Sequence, residues 1–236
     1  AFTEEHTGAT LNHTRQFSCE PGDMSGNIEN LFGVAQVPIG LAGPLLVNGE
    51  QAQGEGYVPM ATIEGTMLAS YNRGMRVIRE SGGVITTVSG DNMQRAPVFV
   101  FPSAREARDF CQWLKEHHEA IKAVAESTTS VGKLNEIEQY HAHNMVFTRF
   151  DYSTGDAAGQ NMTNKATYAA CEWIKANYPG GARYLLSSHI DSDKKYSRLN
   201  NINSRGTRVV AEVTIPREVL EGIMNVNGET LFQLRQ

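Results

Sequence analysis

Several residue patterns that mark large functional classes are missing from this chain. Its three cysteines, Cys19, Cys111 and Cys171, are far apart and form no Cys-x-x-Cys pair. That excludes a disulfide framework, a zinc ribbon or a thioredoxin-type motif, and it suits a reducing, cytoplasmic compartment; no metal is expected. Positive charge is not in excess either. Lys and Arg total 21 against 26 Asp and Glu, a net charge of -5 with no basic cluster to neutralise phosphates. Nucleic acid is therefore excluded as a general partner. No apolar run reaches membrane-spanning length, and the opening Ala1-Phe2-Thr3-Glu4-Glu5-His6 has neither the cationic nor the apolar region of a signal peptide. The start is not Met, which reads as a processed terminus or the cut edge of a larger protein. Neither the GxGxxG of a Rossmann turn nor the GxxxxGK[ST] of a P-loop occurs.

What is there is an ordinary globular composition, 40% hydrophobic and 20% charged, long enough to bury a sizeable core in one large or two modest domains. Residues 1–32 show no sustained period and read as an irregular lead-in with at most a short helix. The apolar stretch 34–47, broken by Pro38, Gly40, Gly43 and Pro44, reads as a tightly turned core segment. Residues 64–80 place Leu68, Tyr71, Met75 and Ile78 on one helical face, with Glu64 in the first turn and Ser81-Gly82-Gly83 as the stop.

The middle third predicts a strand at 98–101, a helix over about 103–127, strands near 134–140 and 145–152, a helix over about 160–177 and a strand at 183–187. That βαββαβ order is the split-βαβ, ferredoxin-like arrangement. The expected class is thus α+β: a large mixed α/β domain formed by residues 33–95 and 198–236, which the resemblance described below implies is incomplete in this chain. A small ferredoxin-like domain at 97–186 interrupts it, followed by a polar loop at 187–197.

Taken singly, the polar residues have plain explanations. Glu64 suits a helix start. Lys194 and Lys195 look like a solvated pair, and Arg95 like an ordinary surface charge. The loop around Asp156, rich in small residues, leads into a helix where exposed N–H groups can receive a phosphate. Read together, five segments are more specific. They are Glu29-Asn30 with Val37-Pro38-Ile39-Gly40-Leu41-Ala42-Gly43-Pro44-Leu45; Val58-Pro59-Met60-Ala61-Thr62-Ile63-Glu64-Gly65 running on to Asn72-Arg73-Gly74; Met93-Gln94-Arg95-Ala96-Pro97; Gly155-Asp156-Ala157-Ala158-Gly159-Gln160-Asn161-Met162; and Asp193-Lys194-Lys195. In wording and order they resemble the hydroxymethylglutaryl-coenzyme A (HMG-CoA) reductase family, over a stretch from about residue 20 to the end.

The resemblance implies reduction of HMG-CoA to mevalonate and coenzyme A in isoprenoid biosynthesis, with NADPH, or NADH, as the reductant. It implies Glu64 as proton donor and Lys194 as the cation opposite a developing oxyanion. Arg95, Ser187 and Lys195 would bind substrate, with the arginine fork matched to a carboxylate. Ser70, Asn72 and Arg73 would face coenzyme A, while Asp156, Gly159, Gln160, Asn161 and Met162 would face the nicotinamide cofactor. An intersubunit active site in a homodimer or higher oligomer follows from the same resemblance, as does an aspartate and a histidine beyond the segment 209–220, so that this chain alone is expected to be inactive.

Some positions depart from the family pattern: Ile63, Gln94, Ala96, His189 and Asp191, and above all Ser130, where NADPH-using relatives carry an arginine for the 2′-phosphate. Two other readings are a reductase of a different acyl-coenzyme A thioester and a non-catalytic nucleotide or coenzyme A module. A single-stranded RNA binder on the same topology is disfavoured, because Phe147 and Phe150 fall on opposite faces of one strand with no basic stripe beside them.

Overall fold

The computed structural model describes residues 2–192 and 195–235. Along the chain come helix α1 (Phe2–Thr7), a single 3-10 turn (Pro21–Met24), strands β1 (Ile39–Gly49) and β2 (Gln53–Ala61), helix α2 (Met67–Glu80) and strands β3 (Val84–Arg95) and β4 (Val98–Val100). Next are α3 (Ala104–Glu116), α4 (His118–Glu126), β5 (Lys133–Ala142), β6 (Met145–Ser153), α5 (Gln160–Asn177), β7 (Arg183–Leu185), α6 (Arg198–Ile202) and β8 (Gly206–Glu212). The end is α7 (Arg217–Val219), a π turn (Leu220–Met224) and α8 (Gly228–Arg235). Two compact units result. The first comprises the chain up to Thr86 and from Ala211 onward; the second runs from Thr87 to Val210. Residues 87–95 and 198–210, which the sequence groups with the flanking segments, thus pack in the second unit.

In the first unit β1 and β2 form an antiparallel hairpin, where the sequence suggested a turned segment. Gly43 and Pro44 are accommodated by an irregularity between Ala42 and Leu45, where an extra residue relieves the ladder at Pro44, while Pro38 precedes the strand and Gly40 pairs regularly with Met60. The start of β3 pairs in parallel with the end of β1, Val47 opposite Val84. Helix α2 packs on β1 with Met75 and Val77 buried. It starts at Met67, after Thr66 in a left-handed conformation, so Glu64 precedes the helix rather than sitting in its first turn. It ends as the sequence suggested: the Gly82 N–H donates to Arg79 and the Gly83 N–H to Ile78, satisfying its last carbonyls.

In the second unit the antiparallel order is β5–β6–β4–β7, and the end of β3 continues alongside β6, Arg95 opposite Phe150. Ser103 caps α3 by accepting from the Glu106 N–H at 3.3 Å, the first half of a capping box. The expected helix over 103–127 is two helices. It breaks at His117, whose ring stacks on Trp113 at 4.1 Å and whose N–H still reaches the Trp113 carbonyl. Helices α3, α4 and α5 send Phe110, Leu114, Ile121 and Ile174 into one core with Phe99, Leu134, Phe150 and Tyr152 of the sheet. Strand alternation then puts Arg149 and Asp151 on the opposite face. There the segment carrying Asn203 and Ser204 lies across them, the Ser204 carbonyl accepting from Gln94 and Arg149.

Candidate functional site

Within the second unit, three separated stretches converge. The end of β3 supplies Met93, the entry to α5 supplies Ala158 and Gln160, and the segment after β7 supplies Lys195, Tyr196 and Arg205. Met93, Ala158, Gln160, Lys195, Tyr196 and Arg205 line one cavity of about 390 Å³. A smaller cavity of about 150 Å³ is bordered by Asp91, Asn92, Gly155, Asp156, Gly206 and Thr207.

The cofactor candidates gather where the sequence suggested. Gly159 stands before the 18-residue α5 with φ 79, a left-handed conformation open to glycine, and a Cβ there would run into the Thr154 side chain. The N–H groups of Asn161 and Met162 lie in the first turn of α5, ahead of its first i→i−4 bond, Thr163 N–H to the Gly159 carbonyl. The thioether end of Met162 lies against Gly132, so a side chain at that position would require Met162 to move. Asp156 and Asn161 are exposed.

The substrate candidates are held by a residue the sequence marked only as unusual. The Asp191 carboxylate is wholly buried. It pairs with Arg95 Nη1 at 3.1 Å and Arg205 Nη1 at 3.6 Å, and it accepts from Ser187 Oγ at 3.2 Å. Arg205 also donates to the Gln94 carbonyl at 2.9 Å. Two turns shape the loop, Asp191 N–H to the Ser188 carbonyl and Lys195 N–H to the Ser192 carbonyl, while the Ser188 N–H binds the Ala96 carbonyl. Lys195 is exposed, and Lys194 with Asp193 lies outside the described residues. An acid three positions before a Lys pair, in a loop that must fold back on a cationic strand end, was the available signal for Asp191.

A second polar cluster was not anticipated. Arg149 Nη1 binds Glu138 Oε2 at 2.9 Å, and Glu138 Oε1 accepts from Asn203 at 2.7 Å. Asp151 lies beside them, its carboxyl pushed up to about 7 by burial, with Arg149 opposing the shift and Glu138 reinforcing it. Oxygens of Glu136, Glu138 and Asp151 come within 4.8 Å of one another. The Arg149 guanidinium already supplies positive charge there, which makes the cluster a structural polar layer.

In the first unit, Glu64 is exposed and its N–H donates to Thr62 Oγ1 at 2.9 Å. Helix α2 carries Ser70, Asn72 and Arg73, all exposed. Asn72 Oδ1 accepts from the Gly43 N–H at 2.8 Å and so ties the helix to β1. Ser70, with Leu45, Tyr71, Gly74, Met75 and Ile78, borders an apolar cavity of about 420 Å³.

The architecture, a mixed α/β fold with a mixed sheet, is similar to solved reductases of Streptococcus pneumoniae. A class II HMG-CoA reductase described as bound to NADPH in open conformations matches with a TM-score of 0.65 at 19% identity, over 88% of this chain and 52% of that one. Another reductase of that organism gives a TM-score of 0.64 at 20% identity, over 83% of this chain and 50% of that one. Sequence comparison is more specific. The family model described as Hydroxymethylglutaryl-coenzyme A reductase matches residues 1–236. The 3-hydroxy-3-methylglutaryl-coenzyme A reductase of Pyrococcus abyssi is 42% identical over 98% of this chain, and that of Methanothermobacter thermautotrophicus 41% over 99%. The chain belongs to the hydroxymethylglutaryl-coenzyme A reductase family. It spans 57% and 59% of the lengths of those two relatives.

Proposed function

We propose that this chain is the substrate- and cofactor-handling part of an enzyme that reduces HMG-CoA to mevalonate and coenzyme A with NADPH, NADH being the alternative reductant. The observation that carries the reading is the convergence of Met93, Gln160 and Lys195 on one cavity, since these come from three of the segments that resemble the family. In this reading residues 97–186 form an inserted ferredoxin-like cofactor-binding domain, and the protein acts in the cytoplasm as a homodimer or larger assembly.

The residues fit a nicotinamide dinucleotide. A glycine in a left-handed turn leads into a long helix whose first-turn amides at Asn161 and Met162 could receive a phosphate, and a side chain at that glycine would run into Thr154. Gly159, Gln160, Asn161 and Met162 would hold it, with Asp156 at the rim. When bound, the cofactor supplies the reducing equivalents. The chain's own groups bind, orient and move protons. Arg95 holds the acyl carboxylate with its planar fork, assisted by Ser187 and Lys195. Lys194 offsets negative charge on the thioester oxygen, and Glu64 donates the proton that oxygen requires. Ser70, Asn72 and Arg73 face coenzyme A. Ser130, in place of an arginine, is the position where NADPH preference would be weakest.

The test is nicotinamide oxidation with HMG-CoA by a form extended past Gln236, with its Lys194→Ala variant, using NADPH and NADH in parallel. We expect activity in the extended form, none in the variant and none in the 236-residue chain alone. Coenzyme A binding with no oxidation of either cofactor would instead make the protein a binding module.

A further inference from the structure

The Arg95–Asp191–Arg205 cluster has a geometry that a plain surface ion pair lacks. Asp191 is fully buried, whereas Arg95 keeps part of its side chain exposed. Asp191 engages Arg95 at Nη1. Among the described residues the buried Arg95 Nε N–H has no acceptor, so the protein does not saturate this guanidinium. Asp191 therefore occupies one end of the guanidinium and leaves the exposed part of Arg95 for a second acid. It also holds Ser187, a second candidate for the same ligand, through a 3.2 Å hydrogen bond.

We propose that Asp191 is the positioning residue of the acyl-carboxylate pocket: it holds Arg95 by Nη1 and Ser187 by its hydroxyl, so that both are set in place to meet an acyl carboxylate. This rests on the reading of Arg95 as the substrate-binding arginine. Asp191 touches no substrate itself and acts through Arg95.

The experiment is calorimetric binding of HMG-CoA and of coenzyme A to the chain carrying Asp191→Asn, Asp191→Glu, Arg95→Ala or Arg95→Ala with Asp191→Asn. Emission of Trp113 and Trp173, both in the second unit, checks that this unit is folded. Asp191→Asn should weaken HMG-CoA by about tenfold and leave coenzyme A unchanged. Asp191→Glu should recover part of the loss, and Asp191→Asn should add nothing once Arg95 is Ala. A further loss in the Arg95→Ala background would make Asp191 a structural ion pair and overturn the proposal. Unchanged or tighter binding by Asp191→Asn would overturn it too, making Asp191 a bystander or a competitor of the ligand. If Asp191→Asn unfolds the unit, Asp191→Glu decides in the same cycle. If the unsubstituted chain binds HMG-CoA no better than coenzyme A, the carboxylate pocket itself is wrong, and that failure is visible without any variant.

Discussion

The two units handle their apolar residues differently. In the second, Phe99, Phe110, Leu114, Ile121, Leu134, Phe150 and Ile174 are withdrawn from solvent between three helices and one sheet face. In the first, the buried apolar set is Ala42, Met75, Val77, Val84 and Leu220, while Leu41, Tyr57, Tyr71 and Phe232 are each more than half exposed. Both units have well-formed helices and strands. What separates them is closure of a core, which requires facing layers of side chains and not only correct local elements. Exposed apolar area of that extent is the usual mark of a surface that is covered in the working assembly.

The contrast can be tested by substitution. Phe110→Ala should cost about 3–5 kcal/mol in denaturant unfolding followed by tryptophan emission, because it opens a cavity against Phe99, Phe101 and Trp113. Next in size is Asp151. Its folded carboxyl titrates near 7, above its ordinary value, so the folded state holds the proton more tightly than the unfolded state. The stability this contributes is present below about pH 4 and is lost as pH rises through about 7. Asp151→Asn should flatten that decline and raise stability at pH 8 by on the order of 2 kcal/mol, read from unfolding curves at pH 5 and 8. Ser103→Ala should cost about 1 kcal/mol through loss of the α3 cap. Tyr71→Ala, on the exposed side of α2, should change stability by no more than about 0.5 kcal/mol in the same assay. Equal losses for Phe110→Ala and Tyr71→Ala would erase the difference between the units.

Periodicity made the second unit legible. Alternating strands and amphipathic helices leave their period in the sequence wherever one face is buried, and β4 through β7 do so. It failed where that signal is weak. The β1–β2 hairpin carries Pro and Gly and exposes most of β2, so it read as turns. The break at His117 depends on a ring stack with Trp113, which no spacing rule contains. The site was legible as short words rather than as geometry. Arg95 and Ser187 were nominated, but the acid that joins them sits between β7 and the lysine loop, and only folding brings it under both. Arg149 and Asp151 were not singled out, because nothing local on β6 announces that residues 203 and 204 will cover them.

One close approach bears on how this sequence can drift. Met162 fills the space where a Cβ at Gly132 would lie, and Thr154 does the same at Gly159. The Met162 thioether is a flexible tip, so a side chain at 132 can be admitted if Met162 repacks, whereas Gly159 faces both Thr154 and its own φ of 79. Position 132 should therefore drift together with 162, linking the loop before β5 to the first turn of α5, while 159 should stay glycine whatever stands at 154.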